Sequence, residues 1–211
     1  MSTRAAIRED RVVQALMGLH RAWPLENRIR QEACDATRET YLALLTRWRQ
    51  TSAAPEAVGY DEAALDELAA LDAIYLTRDR LACPPFCPAA TDITLHFPHE
   101  TLYAASALDA LALPRLLEAP ARVETRCPVS NEPLAFTVTR AGSLQEDQLG
   151  SAMVALRKIS TEVRRYPLDL APGIRFVHPA AGAAMNQALT LLEGAAVANA
   201  FYGFQRRLLD E

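Results

Sequence analysis

The stretch Leu102-Tyr103-Ala104-Ala105-Ser106-Ala107-Leu108-Asp109-Ala110-Leu111 decides how this chain is read. It lies in an apolar run from Thr101 to Leu117 that predicts a helix, bent or ended near Pro114. On a helix, Ser106 and Asp109 are three residues apart and share a face. Everything around them is apolar. A carboxylate in such a place is either paired or keeps its proton, because burial penalises the charged form. A proton-carrying Asp beside a small hydroxyl has the make-up of a general acid. A helix Asp bonded to a buried Arg or a backbone amide is the structural alternative, and spacing alone favours that one.

Working toward the N-terminus, residues 5–20 read as a helix with Ile7, Val12, Ala15, Leu16 and Leu19 near helical spacing. Pro24 starts a second helical stretch over 25–50, with Ile29, Ala33, Thr37, Tyr41, Leu44, Leu45 and Trp48 on one side. Thr51-Ser52-Ala53-Ala54-Pro55 breaks it. Asp61 is the N-cap expected for a third helix, 62–73, carrying Leu65, Leu68 and Leu71. Ile74-Tyr75-Leu76 reads as extended, Arg78-Asp79-Arg80 as a turn, and Leu81-Ala82 as the return. Helices followed by a short hairpin are the outline of a winged helix.

Cys83 to Ala90 is a joint in which Pro84, Pro85 and Pro88 forbid a helix interior. Beyond it, 92–97, 121–126 and 134–139 alternate as strands, with a turn over 128–133. Residues 152–157 and 174–177 are further short strands, and 183–209 are mostly helical. The expected organisation is a winged-helix-like domain over residues 1–82, the Pro-rich joint over 83–90, and an α+β core over 91–211 with a mostly antiparallel sheet.

Composition narrows the function. The chain has 211 residues, 50% hydrophobic and 23% charged, which is ordinary globular chemistry. No apolar run approaches the roughly 20 residues of a membrane span. The first ten residues lack the apolar core of a signal peptide, so a cytoplasmic protein with no membrane partner is expected. The net charge is −4, with +3 on residues 1–50 and −7 on the remainder. Lys158 is the single lysine, and with the abundant Ala this reads as compositional bias. A winged helix suggests DNA, but the third helix opens Asp61-Glu62-Ala63-Ala64-Leu65-Asp66-Glu67, four acids and no base. A helix laid against phosphates needs the opposite sign, so the charge argues against a nucleic-acid partner.

The order of motifs adds a resemblance. Tyr103-Ala-Ala-Ser106-Ala-Leu-Asp109 is followed by Ala121-Arg122-Val123 and then by Cys127-Pro-Val-Ser-Asn-Glu-Pro133-Leu-Ala-Phe-Thr-Val138. Leu192-Glu193-Gly194, Val197 and Phe201-Tyr202-Gly203 come near the end. The chain resembles the organomercurial (alkylmercury) lyase family. There a helical L-Y-A-x-C-A-L-D motif precedes A-R-V and a downstream Cys and Pro. The likeness covers residues 90–140 and, more loosely, 173–205. It implies an alkylmercury-lyase-like core and a reaction in which two thiolates hold mercury while an Asp protonates the leaving carbon. Soft sulfur suits the soft metal. Asp109 stands at the family's Asp. Cys127 stands at a cysteine regarded as structural.

The departures matter as much. Ser106 replaces the first catalytic thiol, and a hard hydroxyl does not substitute for a thiolate toward mercury. The second thiol belongs where Ile174 or Arg175 stands, and no Cys follows Cys127. Cys83 and Cys87 have two open readings: relocated thiols or soft-metal ligands, or small buried residues in a tight joint, which is the commoner fate of free Cys. A zinc site drawn from Cys83, Cys87, Cys127, His96, His99 and His178 has only one close cysteine pair. Tyr103, Phe176 and His178 are expected to line the pocket, as the family implies. A Ser106–His178–Asp109 hydrolase lacks the G-x-S-x-G elbow. The expectation is therefore a diverged lyase-like protein without a cofactor, in which Asp109 is the acid and Ser106 orients a small organic or organometallic substrate. The alternatives are a pseudoenzyme that binds a small ligand or soft metal ion, and a DNA-binding regulator.

Overall fold

The computed structural model describes residues 7–77, 80–157, 165–185 and 188–210. Arg78 and Asp79 of the expected turn, and Lys158, lie outside them. The N-terminal half opens with helices α1 (Glu9–Ala22), α2 (Leu25–Gln31), α3 (Asp35–Thr51) and α4 (Glu62–Ala70). An antiparallel hairpin follows, β1 (Tyr75–Thr77) with β2 (Arg80–Ala82). The single helical stretch expected over 25–50 is two helices, interrupted at 32–34. Its apolar side survives the break: Ile29, Ala33, Thr37, Tyr41, Leu44, Leu45 and Trp48 are all buried. Asp61 caps α4 by accepting from the Ala64 amide at 3.0 Å. That helix ends three residues earlier than its apolar spacing predicts, at a turn through Leu71, Asp72 and Ala73.

The second half holds two antiparallel sheets. The first orders its strands β4-β3-β5-β6, from β3 (Thr94–His96), β4 (Thr101–Tyr103), β5 (Ala121–Arg126) and β6 (Pro133–Val138). The second orders β8-β7-β9, from β7 (Met153–Leu156), β8 (Ile174–Val177) and β9 (Ala188–Thr190). Between the strands lie helix α5 (Ala107–Leu116), a one-turn π-helix at Tyr166–Leu170, and helix α6 (Pro179–Ala183). Helices α7 (Leu191–Phe201) and α8 (Gly203–Asp210) close the chain. Two expectations are corrected here. The helix expected from Thr101 begins at Ala107, because 101–103 pair with β3, with Leu95 opposite Leu102. The 183–209 stretch contains β9, three residues too short to show an alternation against its helical neighbours.

Helix α5 is the centre of the molecule. Nine of its ten residues are buried, Leu108, Leu111 and Leu113 completely. Each buried Leu contributes roughly 1.5–3 kcal/mol. Helix α7 packs between α5 and α1. Gly194 permits the approach to the second sheet, since a Cβ there would lie 2.6 Å from Val154 Cγ2. Thr190 and Glu193 form a capping box at the start of α7. The buried Glu193 also accepts the Arg8 amide and pairs with Arg11 at 3.3 Å, which ties α1 down on α7. In the joint, Phe86 stacks on Trp48 with ring centroids 5.1 Å apart. Tyr41 and Phe204 stack across α3 and α8, so one contiguous cluster of buried side chains runs from the N-terminal helices into the α+β core.

Candidate functional site

The site forms at the first turn of α5. Ser106 is the N-cap with an extended backbone, and its Oγ accepts the Asp109 amide at 3.1 Å. Asp109 is therefore the third residue of the helix. There its negative charge is favoured by the free amides and the helix dipole. The three-residue spacing reflects a cap rather than two positions on one helical face. Both side chains are almost wholly buried, Ser106 at 0% and Asp109 at 1% exposure.

Two tyrosines complete the site. Tyr166, from the π-helical turn, donates its phenol to Asp109 Oδ1 at 2.5 Å. Tyr202, at the junction of α7 and α8, donates to the same oxygen. The two phenol oxygens are 2.7 Å apart, and Ser106 Oγ lies 3.2 Å from the Tyr166 oxygen. Sequence position marks neither tyrosine as a site residue, because they stand 57 and 93 residues from Asp109. The signal for Tyr202 is its place in the aromatic-Gly pair Tyr202-Gly203. Tyr166 has none beyond its aromatic character.

The charge state follows from burial and from counting protons. Burial pushes the Asp109 carboxyl up to about 6, against the hydrogen bonds from Tyr166, Tyr202 and Ser106 that pull it down. Three oxygens touch pairwise: Asp109 Oδ1 and the two phenols. With Asp109 ionised, both phenol protons point at the carboxylate and the phenol–phenol contact holds none. With Asp109 protonated, each of the three contacts holds one proton. The phenols themselves are pushed well above the ordinary range by burial and by the neighbouring carboxylate, so they donate and do not ionise.

The N-terminal half forms the back wall. Trp23 lies with its ring centroid 4.5 Å from that of Tyr166 and 6.4 Å from that of Tyr202. The Trp23 indole N–H donates to the Asp72 carbonyl at 3.0 Å. The Asp72 carboxylate accepts the Tyr166 backbone N–H at 2.7 Å.

The other expected site residues are placed as follows. Tyr103 is half-buried in β4, bridged through its backbone to Cys87. Phe176 is buried in β8, edge-on to Phe136 at 5.0 Å. His178 is the N-cap of α6, accepting the Ala180 amide, with Glu132 at 3.8 Å. Arg175, which with Ile174 shares the expected place of the second thiol, donates to the Ala105 carbonyl at 3.0 Å, next to Ser106. Cys83, Cys87 and Cys127 are buried free thiols, and Cys34 is an exposed one. Burial raises the Cys83 thiol far above its ordinary range. Burial also raises Cys87, and the negative charge of Asp109 adds to it, so Cys87 is the member of the pair that senses the site. Its sulfur donates to the Ala89 carbonyl at 3.5 Å. Burial raises Cys127 too, but hydrogen bonds from the backbone of His178 and from Ser130 outweigh it and bring the thiol down to about 7. Among the described residues no group of three or more His, Cys, Asp or Glu side chains converges as a metal site, and no helix is long and apolar enough to cross a membrane.

Comparison with known proteins bears on this geometry. The alkylmercury lyase (MerB) family model matches residues 87–165, the segment that carries Ser106, Asp109 and Cys127. Among solved structures the chain is similar to the mercury-bound form of MerB2. The TM-score is 0.68 at 16% identity, covering 90% of this chain and 99% of that one. No curated protein matches it in sequence. The resemblance read from the motif order is thus supported by sequence in the middle of the chain and by fold over most of its length.

Proposed function

From a chain related to the alkylmercury lyases in its central segment and in its fold, we propose a lyase-like protein that delivers a proton from Asp109 to the carbon of a small organic or organometallic substrate. The observation that carries this reading is the buried Asp109 carboxyl, touched by two phenols and lifted by burial to about 6. A general acid works best when its pKa lies near the working pH. Ser106 fixes the first turn of α5 and, through the Tyr166 phenol, orients the acid. Once Asp109 has given its proton up, the Tyr166 and Tyr202 hydroxyls hold it as a carboxylate by hydrogen bonds without ionising, and it regains a proton from the next thiol that binds the metal.

The soft side of the family chemistry is reduced here. Ser106 stands where the first thiol is expected and Ile174 or Arg175 where the second is, and Cys87, whose thiol feels the charge of Asp109, is the soft candidate. A thiol from solution, or Cys87, then holds a mercurial substrate while Asp109 protonates its carbon, releasing hydrocarbon and leaving mercury on sulfur. Residues 1–82, with their winged-helix outline, serve in this reading as a wall of the site, not as a reader of DNA. The acidic start of α4 supports that assignment.

The test is cleavage of phenylmercury in excess small thiol, with benzene measured by gas chromatography. Benzene release above the buffer rate is expected from the wild type. It should be lost in Asp109→Asn and reduced in Cys87→Ser. Release no faster than buffer overturns the catalytic reading. A second reading, a ligand-binding pseudoenzyme, draws on the absence of thiols at Ser106 and at Ile174 and Arg175. Its mark is organomercurial binding that survives Asp109→Asn without turnover in either protein.

A further inference from the structure

Asp72 breaks two local rules at once. Helix α4 ends in a Schellman turn, in which the Ala73 amide bonds the Leu68 carbonyl at 2.9 Å and the Asp72 amide bonds the Ala69 carbonyl at 3.1 Å. The residue at the left-handed position of that turn is usually Gly, sometimes Asn. Here it is Asp72, at φ 57°. The same side chain is also buried, at 8% exposure. Burial lifts its carboxyl to about 6, while hydrogen bonds from the Tyr166 amide and Trp23 and the charges of Arg28 and Arg165 pull it down. A residue that is costly in backbone and in solvation persists where the surrounding structure uses it. The use visible here is the 2.7 Å bond from the Tyr166 amide, made across 94 residues of chain. Trp23 holds the same tyrosine from the other side by ring packing, and is itself anchored to the Asp72 carbonyl.

We propose that Asp72, with Trp23, is the positioning element by which the N-terminal half sets the Tyr166 phenol against Asp109. The α1–α4 half is then part of the acid site without touching substrate. It acts through the first residue of the π-helical turn, whose backbone it clamps and whose ring it covers. This builds on the reading of Asp109 as the acid, but it is tested without turnover, so the two can fail separately.

The experiment follows the Asp109 carboxyl carbon by NMR in the full chain, assigned from the signal missing in Asp109→Asn, while pH is varied. Three substitutions are compared with the wild type. Asp72→Gly relieves the left-handed turn but removes the tether. Asp72→Ser keeps a polar side chain too short to reach the amide. Asp72→Asn tolerates the turn and keeps an accepting oxygen. The Gly and Ser variants are expected to shift the Asp109 midpoint by about half a pH unit or more, with the Gly variant at least as heat-stable as the wild type. The Asn variant should titrate as the wild type does. A wild-type midpoint in both the Gly and Ser variants overturns the proposal, because the tyrosine is then held without Asp72. A shift shared by all three variants also overturns it, because charge rather than the tether would be the cause.

Discussion

Asp109→Asn should make the protein more stable at neutral pH while removing its proposed acid, and the size of the gain follows from the site. The carboxyl titrates near 3.8 when unfolded and about 6 when folded. Between those values the folded state holds more protons than the unfolded state, so stability falls as pH rises. The contribution is fully present below pH 3.8 and is lost on passing through pH 6. Raising the midpoint of one carboxyl from the first value to the second corresponds to about 3 kcal/mol. Asn keeps the shape and the accepting oxygen but has no proton to lose. The difference between variant and wild type should therefore be near zero at about pH 4 and rise to about 3 kcal/mol at about pH 8. For a chain of this length that is about 6–12 °C in Tm. Urea unfolding of both proteins at several pH values between about 4.5 and 8 measures it. Asp72 titrates in the same direction but is present in both proteins and cancels. A difference that stays constant across pH would refute the assignment of a raised, proton-holding carboxyl to Asp109.

Two further outcomes are expected. Gly194→Ala places a methyl group 2.6 Å from Val154 Cγ2 and 3.4 Å from Leu111 Cδ1, in the packed seam between α7 and the second sheet. It should cost about 1–3 kcal/mol in denaturant unfolding, and an unchanged midpoint would mean the seam is looser than described. Of the four free thiols only Cys34 is exposed, so a disulfide reagent added to the native protein should consume one equivalent quickly and the rest only on unfolding. Fast reaction of a second thiol would contradict the burial of Cys83, Cys87 and Cys127.

Periodicity carries the strands well where the alternation is long enough to see. Ala121–Arg126 and Ile174–Val177 fall where the sequence places them. It fails where an element is three residues long. Thr101–Tyr103 runs without a Gly or Pro into the apolar helix after it, and only its pairing with β3 makes it a strand. The break between α2 and α3, at Glu32-Ala33-Cys34, likewise carries no breaker residue. At the site, Ser106 and Asp109 are legible because their relation is local, a cap and the third residue of its helix. Tyr166 and Tyr202 are not, because their relation to Asp109 exists only once α7 and the π-helical turn have been folded onto α5. Asp72 is hidden by its own conformation. The apolar spacing of α4 continues through Leu71, and nothing in the letter D announces a left-handed turn.

The position of Trp23 has an optical consequence. The chain has two tryptophans. Trp48 stacks on Phe86 in the joint, far in kind from the acid site. Trp23 lies over Tyr166, close to Tyr202, with its indole N–H on the Asp72 carbonyl. The molecule thus carries its own emitter beside the proposed acid, where a change of protonation at Asp109 would be felt, and a second emitter in the joint as an internal reference. Any occupant that moves a phenol or changes the charge on Asp109 alters the light from one indole and leaves the other unchanged.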